Sequence, residues 1–313
     1  ADLDAKVHVK YVPVSIVYDL IPDVAEMTQE GRGKKKNPES LQWMLSYWKS
    51  LGENNMGRIS LRIGSPTDLS TAGEMHLHDE EEAPGANVSR LAFDLVHRIN
   101  QTTPVTTSSL VCTALLSKFA LTKRGVESDV ANLMELIETH KQDALVDRGR
   151  PIGESVQSAL NLLTKSRIFL QQGEGLNAKY TIHRENYLQA TYYANMAVHH
   201  LYRRAFIELA LLKIVGLPVK ERSVAFWTEI MALRDLFKFE FFYSSKATFS
   251  EEVEADLRSI HPDWEAHIFG KRSDIRQLLD QQKLLIAPVL LFNYVEAYRV
   301  VAQGLQTWDV GQT

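Results

Sequence analysis

Apolar residues near the start of the chain follow the pattern of two β-strands separated by a helix. Residues 7–17 alternate and then fill with Val, Ile and Tyr, which predicts a buried strand that ends at the Pro22–Asp23 turn. The stretch SLQWMLSYWKSLG, residues 40–52, has apolar side chains at helical spacing, and residues 58–63 predict a second strand before Gly-Ser-Pro. The order strand, helix, strand is typical of an α/β domain with a parallel or mixed sheet.

A different rhythm begins at Pro104, where a helix with apolar residues at helical spacing stops. Three helical segments follow, the first with Thr and Ser as candidate N-caps, and a strand, a turn at residues 173–178 and a second strand come after them. Three short helices followed by a hairpin is the order of a winged-helix module. From Glu185 onward the pattern is helical, with a break or kink near Pro288.

These patterns divide the chain into three parts. We predict an α/β remnant of a larger domain over residues 1–103, a winged-helix-like module over residues 104–184 and a mostly α-helical C-terminal domain over residues 185–313. The first strand begins almost at Ala1, and the last helix is still amphipathic where the chain stops. We therefore expect the chain to be part of a longer protein.

Composition and charge are those of an ordinary globular protein. Hydrophobic residues make up 45% and charged residues 24%, and the net charge of −4 provides no basic field for nucleic acid. No apolar run reaches the roughly 18–20 residues that a membrane span requires, so any membrane contact would be peripheral. Cys112 lies in an apolar stretch, which favours a buried thiol over a nucleophile.

Several short motifs each have a chemical and a structural interpretation. His76 and His78 precede four acids in HLHDEEE and have a metal-ligand spacing, but a solvated acidic loop is favoured and we predict no metal site. The lysines of GRGKKKN, residues 31–37, predict a solvated loop, with contact to a phosphate or an anionic lipid headgroup as the alternative. GEGLNA, residues 173–178, is followed by a strand and predicts a hairpin turn rather than a dinucleotide site.

Polar residues at helical spacing form a stripe in an apolar helical segment near residue 200. Asn195, His199 and Arg203 follow one another at intervals of four residues. They form either a buried, hydrogen-bonded stripe or a ligand-facing one. In the segment LRDLFKFEFF, Arg234, Lys238 and Glu240 favour internal packing.

No catalytic constellation can be assembled from the chain. It lacks G-x-S-x-G, H-E-x-x-H, C-x-x-C and P-loop motifs, and no His is followed five positions later by Asp. The third helix of the winged-helix-like part has basic residues only at its end, Lys165 and Arg167, so we predict no nucleic-acid partner. We predict no catalytic residue and no cofactor.

Five segments, in this order, resemble the long bacterial glycerol-3-phosphate acyltransferases and their dihydroxyacetone-phosphate acyltransferase relatives. YVPVSIVYDLIPD resembles the fourth acyltransferase block of that family, and MGRISLRIGSPTDL is similar to the strand that follows it, with Ile63 and Ser65 in place of Phe and Glu. The other three are LAFDLVHRINQTTPVTTSSLVCTALL, LRDLFKFEFFYS and YVEAYRVVAQGL. The resemblance implies that residues 1–103 are the end of an acyltransferase domain.

The resemblance also implies a reaction: acyl transfer from acyl-CoA or acyl-ACP to the 1-hydroxyl of glycerol 3-phosphate, in phospholipid synthesis. The family's His-x4-Asp base and its glycerol-phosphate blocks are absent here, so we expect them before Ala1 and expect the chain alone to be inactive. Val12, Pro13 and Val14 match the family block and would shape a substrate pocket wall, with plain sheet core as the alternative. The resemblance places the protein peripherally on the cytoplasmic face of the cell membrane. Candidate contacts are Trp43, Trp48 and residues 241–243, with burial in the core as the alternative.

Two other functions remain open at the level of sequence. The chain could be a non-enzymatic winged-helix and helical-bundle protein that binds nucleic acid or another protein, or a degenerate acyltransferase that acts as a scaffold. For the acyltransferase reading, we expect the first strand to be an exposed edge or to pair only with residues 58–63.

Overall fold

The computed structural model describes residues 10–35, 56–68, 86–140, 144–280 and 285–307, together with residues 40, 41, 44, 45, 48 and 49. The strands are β1 Lys10–Tyr11, β2 Val14–Tyr18, β3 Ile59–Ile63, β4 Thr67–Asp68, β5 Leu121–Thr122, β6 Phe169–Gln172 and β7 Lys179–Ile182. The helices are α1 Val24–Glu30, α2 Ala86–Thr102, α3 Thr107–Leu116, α4 Lys123–His140, α5 Ile152–Lys165, α6 Tyr187–Asn195, α7 Val198–Ile214, α8 Val219–Leu236, α9 Lys246–Ile260, α10 Trp264–Phe269, α11 Arg272–Asp280 and α12 Ala287–Thr307.

Helices dominate the described structure, as predicted for the C-terminal part, and the strands form small antiparallel sheets. β2 pairs with β3 and β1 with β4, both antiparallel, so the parallel or mixed sheet predicted for the first part is wrong for the described residues. The reason is the burial of β2, whose side chains are alternately covered and exposed, as in a sheet packed on one face only. Pro13, which has no backbone N–H, separates β1 from β2.

Residues 105–182 contain three helices and a three-stranded sheet. Along the chain the order is α3, β5, α4, α5, β6 and β7, and the sheet order is β5, β7, β6, with both pairs antiparallel. These are the elements that a winged-helix-like module contains. The assignment of residues 104–184 to such a module stays a prediction. Thr106 caps α3 as expected, because its side-chain oxygen accepts a hydrogen bond from the Ser109 amide at 3.2 Å.

One hydrophobic core extends through all parts of the described chain. It begins at Leu20 and Val24, includes every apolar residue of α3 from Leu110 to Leu115, and ends at Leu291. α3 is buried along nearly its whole length and packs on α4, α5 and α6. Because the core crosses residues 103 and 184 without interruption, the domain boundaries proposed there stay predictions.

Two breaks divide the C-terminal helices. The helical pattern predicted from Glu185 onward is interrupted between α6 and α7, where the Met196 and Ala197 amides donate to carbonyls three residues earlier. The break predicted near Pro288 is confirmed, since α12 begins at Ala287. Among the described helices, none combines the length and apolar character of a membrane-spanning segment.

Candidate functional site

The pair of β2 and β3 presents one continuous apolar face to solvent. Cross-strand partners are Val14 with Ile63 and Ile16 with Leu61, so the aliphatic side chains of both strands share one side of the sheet. We call this surface the open sheet face. Six aliphatic residues, each between 43% and 67% exposed, form it: Val12, Val14, Ile16, Ile59, Leu61 and Ile63.

The other side of β2 faces the body of the protein. Ser15 and Val17 are buried, and the Ser15 hydroxyl lies 2.8 Å from the Thr103 hydroxyl at the end of α2. Within the described residues, β2 pairs with β3, but β1, which belongs to the same predicted strand, pairs with β4. The expectation that the first strand pairs only with residues 58–63 is therefore wrong for Lys10–Tyr11. Within the part of the chain that the structure describes, the sheet is therefore packed on the body of the protein on one side and exposed on the other.

The three predicted site residues fall on both sides of this sheet. Val12 and Val14 point to the open sheet face, whereas Pro13 is buried. The Pro13 carbonyl accepts a hydrogen bond from the Gly64 amide at 2.8 Å. A Cβ at Gly64 would lie 2.5 Å from the Thr102 hydroxyl, so only glycine permits this close approach. A role for the three residues in a substrate pocket wall stays a prediction.

Arg58, directly before β3, attaches the sheet to the helical part. Its guanidinium donates to both oxygens of Asp147 at 2.5 and 2.9 Å and to Asp19 at 3.2 Å, and Thr107 donates to Asp147 at 2.5 Å. Burial alone would raise the pKa of Asp147, but the hydrogen bonds from Arg58 and Thr107 outweigh it and hold that pKa below its usual value. Sequence reasoning did not single out Arg58, because Asp147 lies 89 residues away.

A second candidate site is a cleft of about 740 Å³, which we call the histidine cleft. The end of α2, the junction of α6 and α7, residues 240–244 and α9 surround it. His97, His199 and His200 line it, together with polar side chains such as Asn195 and Arg203. Within the described residues, no group of three or more His, Cys, Asp or Glu side chains could hold a metal ion.

Both predicted interpretations of the stripe formed by Asn195, His199 and Arg203 have support in the structure. All three residues line the histidine cleft, which is the ligand-facing alternative. The Arg203 guanidinium also donates to Asp256 at 2.8 Å and to Glu252 at 3.3 Å, which is the hydrogen-bonded alternative. Because the helix breaks after Asn195, the stripe spans the α6–α7 junction rather than one helix.

The aromatic segment after α8 packs mainly inside the protein. Arg234 is buried and donates to the Ser244 carbonyl at 3.0 Å, which confirms internal packing for that residue. Phe241 and Tyr243 are core residues, and Phe242 lines the histidine cleft, so these proposed membrane contacts are held within the fold. Of the other two, Trp48 is exposed and Trp43 lies outside the described residues.

The remaining motifs have structural roles or fall outside the described residues. GEGLNA forms the predicted turn between β6 and β7, with positive φ at Gly173 and Gly175. Cys112 is fully buried, and burial raises the pKa of its thiol far above the usual value. Lys34 and Lys35 are exposed, whereas Lys36 and the HLHDEEE stretch, residues 76–82, lie outside the described residues.

The family model and the relatives that match this chain point to the same family of proteins. The family model of the glycerol-3-phosphate acyltransferase C-terminal region matches residues 27–312. Proteins of Mycobacterium tuberculosis and Mycobacterium bovis, both named as acyltransferase plsB1, are 31% identical over 298 residues, covering 94% of this chain and 48% of their own length. A glycerol-3-phosphate acyltransferase of Pseudoalteromonas atlantica is 26% identical over 61% of this chain and 24% of its own length.

The chain thus spans about half the length of the mycobacterial relatives. The family match begins at residue 27, so it lies after β2 and covers β3 and every helix from α2 onward, including all the segments that surround the histidine cleft. This chain belongs to the glycerol-3-phosphate acyltransferase C-terminal region family.

Proposed function

We propose that the chain works as the C-terminal region of a glycerol-3-phosphate acyltransferase. The complete enzyme would transfer a fatty acyl group from acyl-CoA or acyl-ACP to the sn-1 hydroxyl of glycerol 3-phosphate, a step of phospholipid synthesis. Family membership and the names of the relatives support this proposal. The observation that carries it is the open sheet face, an apolar surface on the part of the chain that resembles an acyltransferase block.

The open sheet face has the character of an interior surface. Scattered exposed aliphatic residues are common, but six that share one face of a sheet mark an interaction surface. Covering them would contribute on the order of 1 kcal/mol per side chain. In our proposal the catalytic part of the enzyme packs on this face, with Val12 and Val14 at the contact.

The sequence of this chain indicates which functions the catalytic part of the enzyme must supply. No His in the sequence has an Asp five positions later, so the general base of the transfer comes from the catalytic part. The chain alone is then inactive, and its sheet completes the domain in which the base operates. The acyl chain of the donor and the lipid product are apolar, which supports a peripheral position of the enzyme on the cytoplasmic face of the membrane.

The winged-helix-like unit has a structural role in this proposal. Its first helix, α3, lies in the common core and packs on α6, which belongs to the following helical part. Arg58 joins it to the sheet through Asp147. The reading helix of a winged-helix module is its third helix, here α5, whose exposed face has Glu154, Ser158 and Asn161 and a basic side chain only at its end. In our proposal the unit therefore acts as a support between the sheet and the helices rather than as a nucleic-acid reader.

An activity assay with a complete enzyme tests the proposal. The chain is produced alone and joined to the N-terminal half of the mycobacterial relative, and transfer of radiolabelled acyl groups from acyl-CoA to glycerol 3-phosphate is measured. We expect no transfer by the chain alone and transfer by the joined protein. The double variant Ile16→Lys with Leu61→Glu should reduce transfer at least about tenfold, since it places charges in a buried contact.

A matched pair of charges elsewhere serves as the control. Leu170 and Thr181 are cross-strand partners in the β6–β7 pair, and Leu170 is 41% exposed. Leu170→Lys with Thr181→Glu should leave transfer unchanged. Transfer by the chain alone, or equal loss in both double variants, would refute the proposed division of labour.

A further inference from the structure

The histidine cleft has no part in the proposed acyl transfer, and its charge is unlike that of a phosphate site. Its lining contains three carboxylates, Glu240, Glu252 and Asp256, and all its residues belong to the described chain. Among these lining residues, Arg203 is the one with a permanent positive charge. Three carboxylates against one guanidinium exceed the permanent positive charge of the lining by two.

Arg203 is already engaged by two of these carboxylates. Its Nε lies 2.8 Å from Asp256 Oδ2, and its Nη1 lies 3.3 Å from Glu252 Oε2. Asp256 is almost fully buried, whereas the Glu252 side chain is 34% exposed toward the cleft. The guanidinium thus pairs with both carboxylates, more closely with Asp256, and Glu252 is the more exposed of the two, which an incoming group can reach.

The environment of Glu252 favours a second cation. Burial raises the pKa of Glu252 above its ordinary value, and the charge of Arg203 only partly opposes this. A positively charged group placed beside Glu252 would stabilise its ionised form. A phosphate there would meet the excess negative charge.

The rest of the cleft suits the organic part of such a ligand. Asn100 and Asn195 have side-chain amide oxygens that can accept hydrogen bonds from N–H donors. Phe242 also lies in the lining, where its ring packs against Phe93 with centroids 4.7 Å apart and contributes an aromatic side chain to the wall of the cleft. The volume of about 740 Å³ is in the range of sites for small organic molecules.

From these contacts we infer that the histidine cleft binds an organic cation with several N–H donors, of the diamine or polyamine class. In this arrangement Glu252 holds one ammonium group beside Arg203. Glu240, an exposed lining residue that also accepts a hydrogen bond from the Tyr298 hydroxyl at 2.8 Å, holds a second one. The ligand is distinct in charge from the acyl donor and from glycerol 3-phosphate. The inference therefore stands independently of the proposed acyl transfer.

Calorimetric titration of the whole chain with spermidine tests this inference, in a buffer of about 150 mM salt that weakens non-specific attraction. We expect saturable binding at one site. Glu252→Gln should raise the Kd about tenfold, because it removes a charge-assisted hydrogen bond while Arg203 keeps Asp256. Glu240→Gln should also weaken binding, and circular dichroism confirms that each variant is folded.

The control is Glu251→Gln, which changes the net charge equally on the same helix but at an exposed position. It should bind spermidine as the parent does. Three results would overturn the inference: no saturable binding at millimolar spermidine, equal weakening by the Glu251 and Glu252 variants, or displacement of spermidine by glycerol 3-phosphate or inorganic phosphate. Each is read from binding to this chain, so the outcome does not depend on whether a joined protein transfers acyl groups.

Discussion

At the scale of single residues, buried charges determine how distant parts of this chain are joined. Arg58 connects the sheet to Asp147, and Arg203 connects α7 to α9 through Asp256. Glu208 on α7 is fully buried and accepts hydrogen bonds from the Ile286 and Ala287 amides at 2.9 and 2.8 Å, at the start of α12. A carboxylate at this position satisfies amides that the first turn of a helix leaves unpaired.

Glu208 makes a pH dependence of stability testable. Burial raises its pKa from 4.5 to about 7, although the Ile286 and Ala287 amides and the nearby charge of Arg204 act in the opposite direction. The folded protein therefore holds a proton here that the unfolded chain releases, and this contribution to stability is lost as the pH rises from 4.5 to 7. The loss is on the order of 3 kcal/mol.

Urea unfolding at several pH values measures this effect in Glu208→Gln. The amide can still accept from the two backbone N–H groups but does not ionise. We expect the variant to gain stability relative to the parent as the pH rises through the window from 4.5 to 7. Glu251→Gln, at an exposed position, should keep a constant difference from the parent, and a constant difference for the Glu208 variant would contradict the assignment.

At the scale of elements, the position of the β2–β3 pair depends on close approach to α2. Gly64 follows β3 and has the Thr102 hydroxyl and Pro13 Cγ within 2.5 and 2.7 Å of where a Cβ would lie. Gly57 precedes β3 with a φ of +76°, and a Cβ there would lie 2.5 Å from Asp19 Cβ. Glycine at both ends of β3 thus permits close approach to Asp19 at one end and to Pro13 and Thr102 at the other.

Gly64→Ala tests this packing. The added methyl group must displace Thr102 or Pro13, so we expect a loss of about 1–3 kcal/mol in the free energy of unfolding. Gly304 on α12 is the control, because nothing lies within 4 Å of its Cβ position. Gly304→Ala should be neutral or should stabilise the helix by up to about 1 kcal/mol. A Gly64 variant as stable as the parent would show that Thr102 and Pro13 can move aside at no measurable cost in free energy.

At the scale of the whole molecule, one core supports two surfaces of opposite character. The core runs from α1 to α12 and holds α3 at its centre. The open sheet face lies on one side of β2, and Thr103, beside the buried side of the same strand, lines the histidine cleft. An apolar surface and a negatively charged cleft therefore lie close to opposite faces of one sheet.

The open sheet face should make the chain bind apolar dyes and self-associate at high concentration. We expect the double variant Ile16→Lys with Leu61→Glu to lower 8-anilinonaphthalene-1-sulfonate fluorescence and to shift sedimentation toward the monomer, since opposite charges at a cross-strand pair retain the sheet. The double variant at Leu170 and Thr181 should leave both measurements unchanged. Unaltered dye binding by the first variant would show that the face is not the accessible apolar surface.

Local patterns in the sequence were sufficient for many elements. The strand at residues 59–63, the end of α2 before Pro104, the Thr106 cap, the turn at residues 173–178 and the break at Pro288 all follow from periodicity, capping residues and chain breakers within a few residues. The polar stripe at Asn195, His199 and Arg203 was also visible, because its spacing repeats along one segment. Such signals are local and can be recognised in the sequence without knowledge of the fold.

The sequence by itself determined the helical character of most of the chain, the place of its turns and its family resemblance. Only the tertiary structure decided that β2 is covered on one side and open on the other, because a run such as VSIVY reads the same whether one or both faces are buried. It also decided that Arg58 meets Asp147 and that Arg203 meets Asp256, 89 and 53 residues apart. Pairings over such separations depend on how the elements pack, which no periodicity within one segment can record.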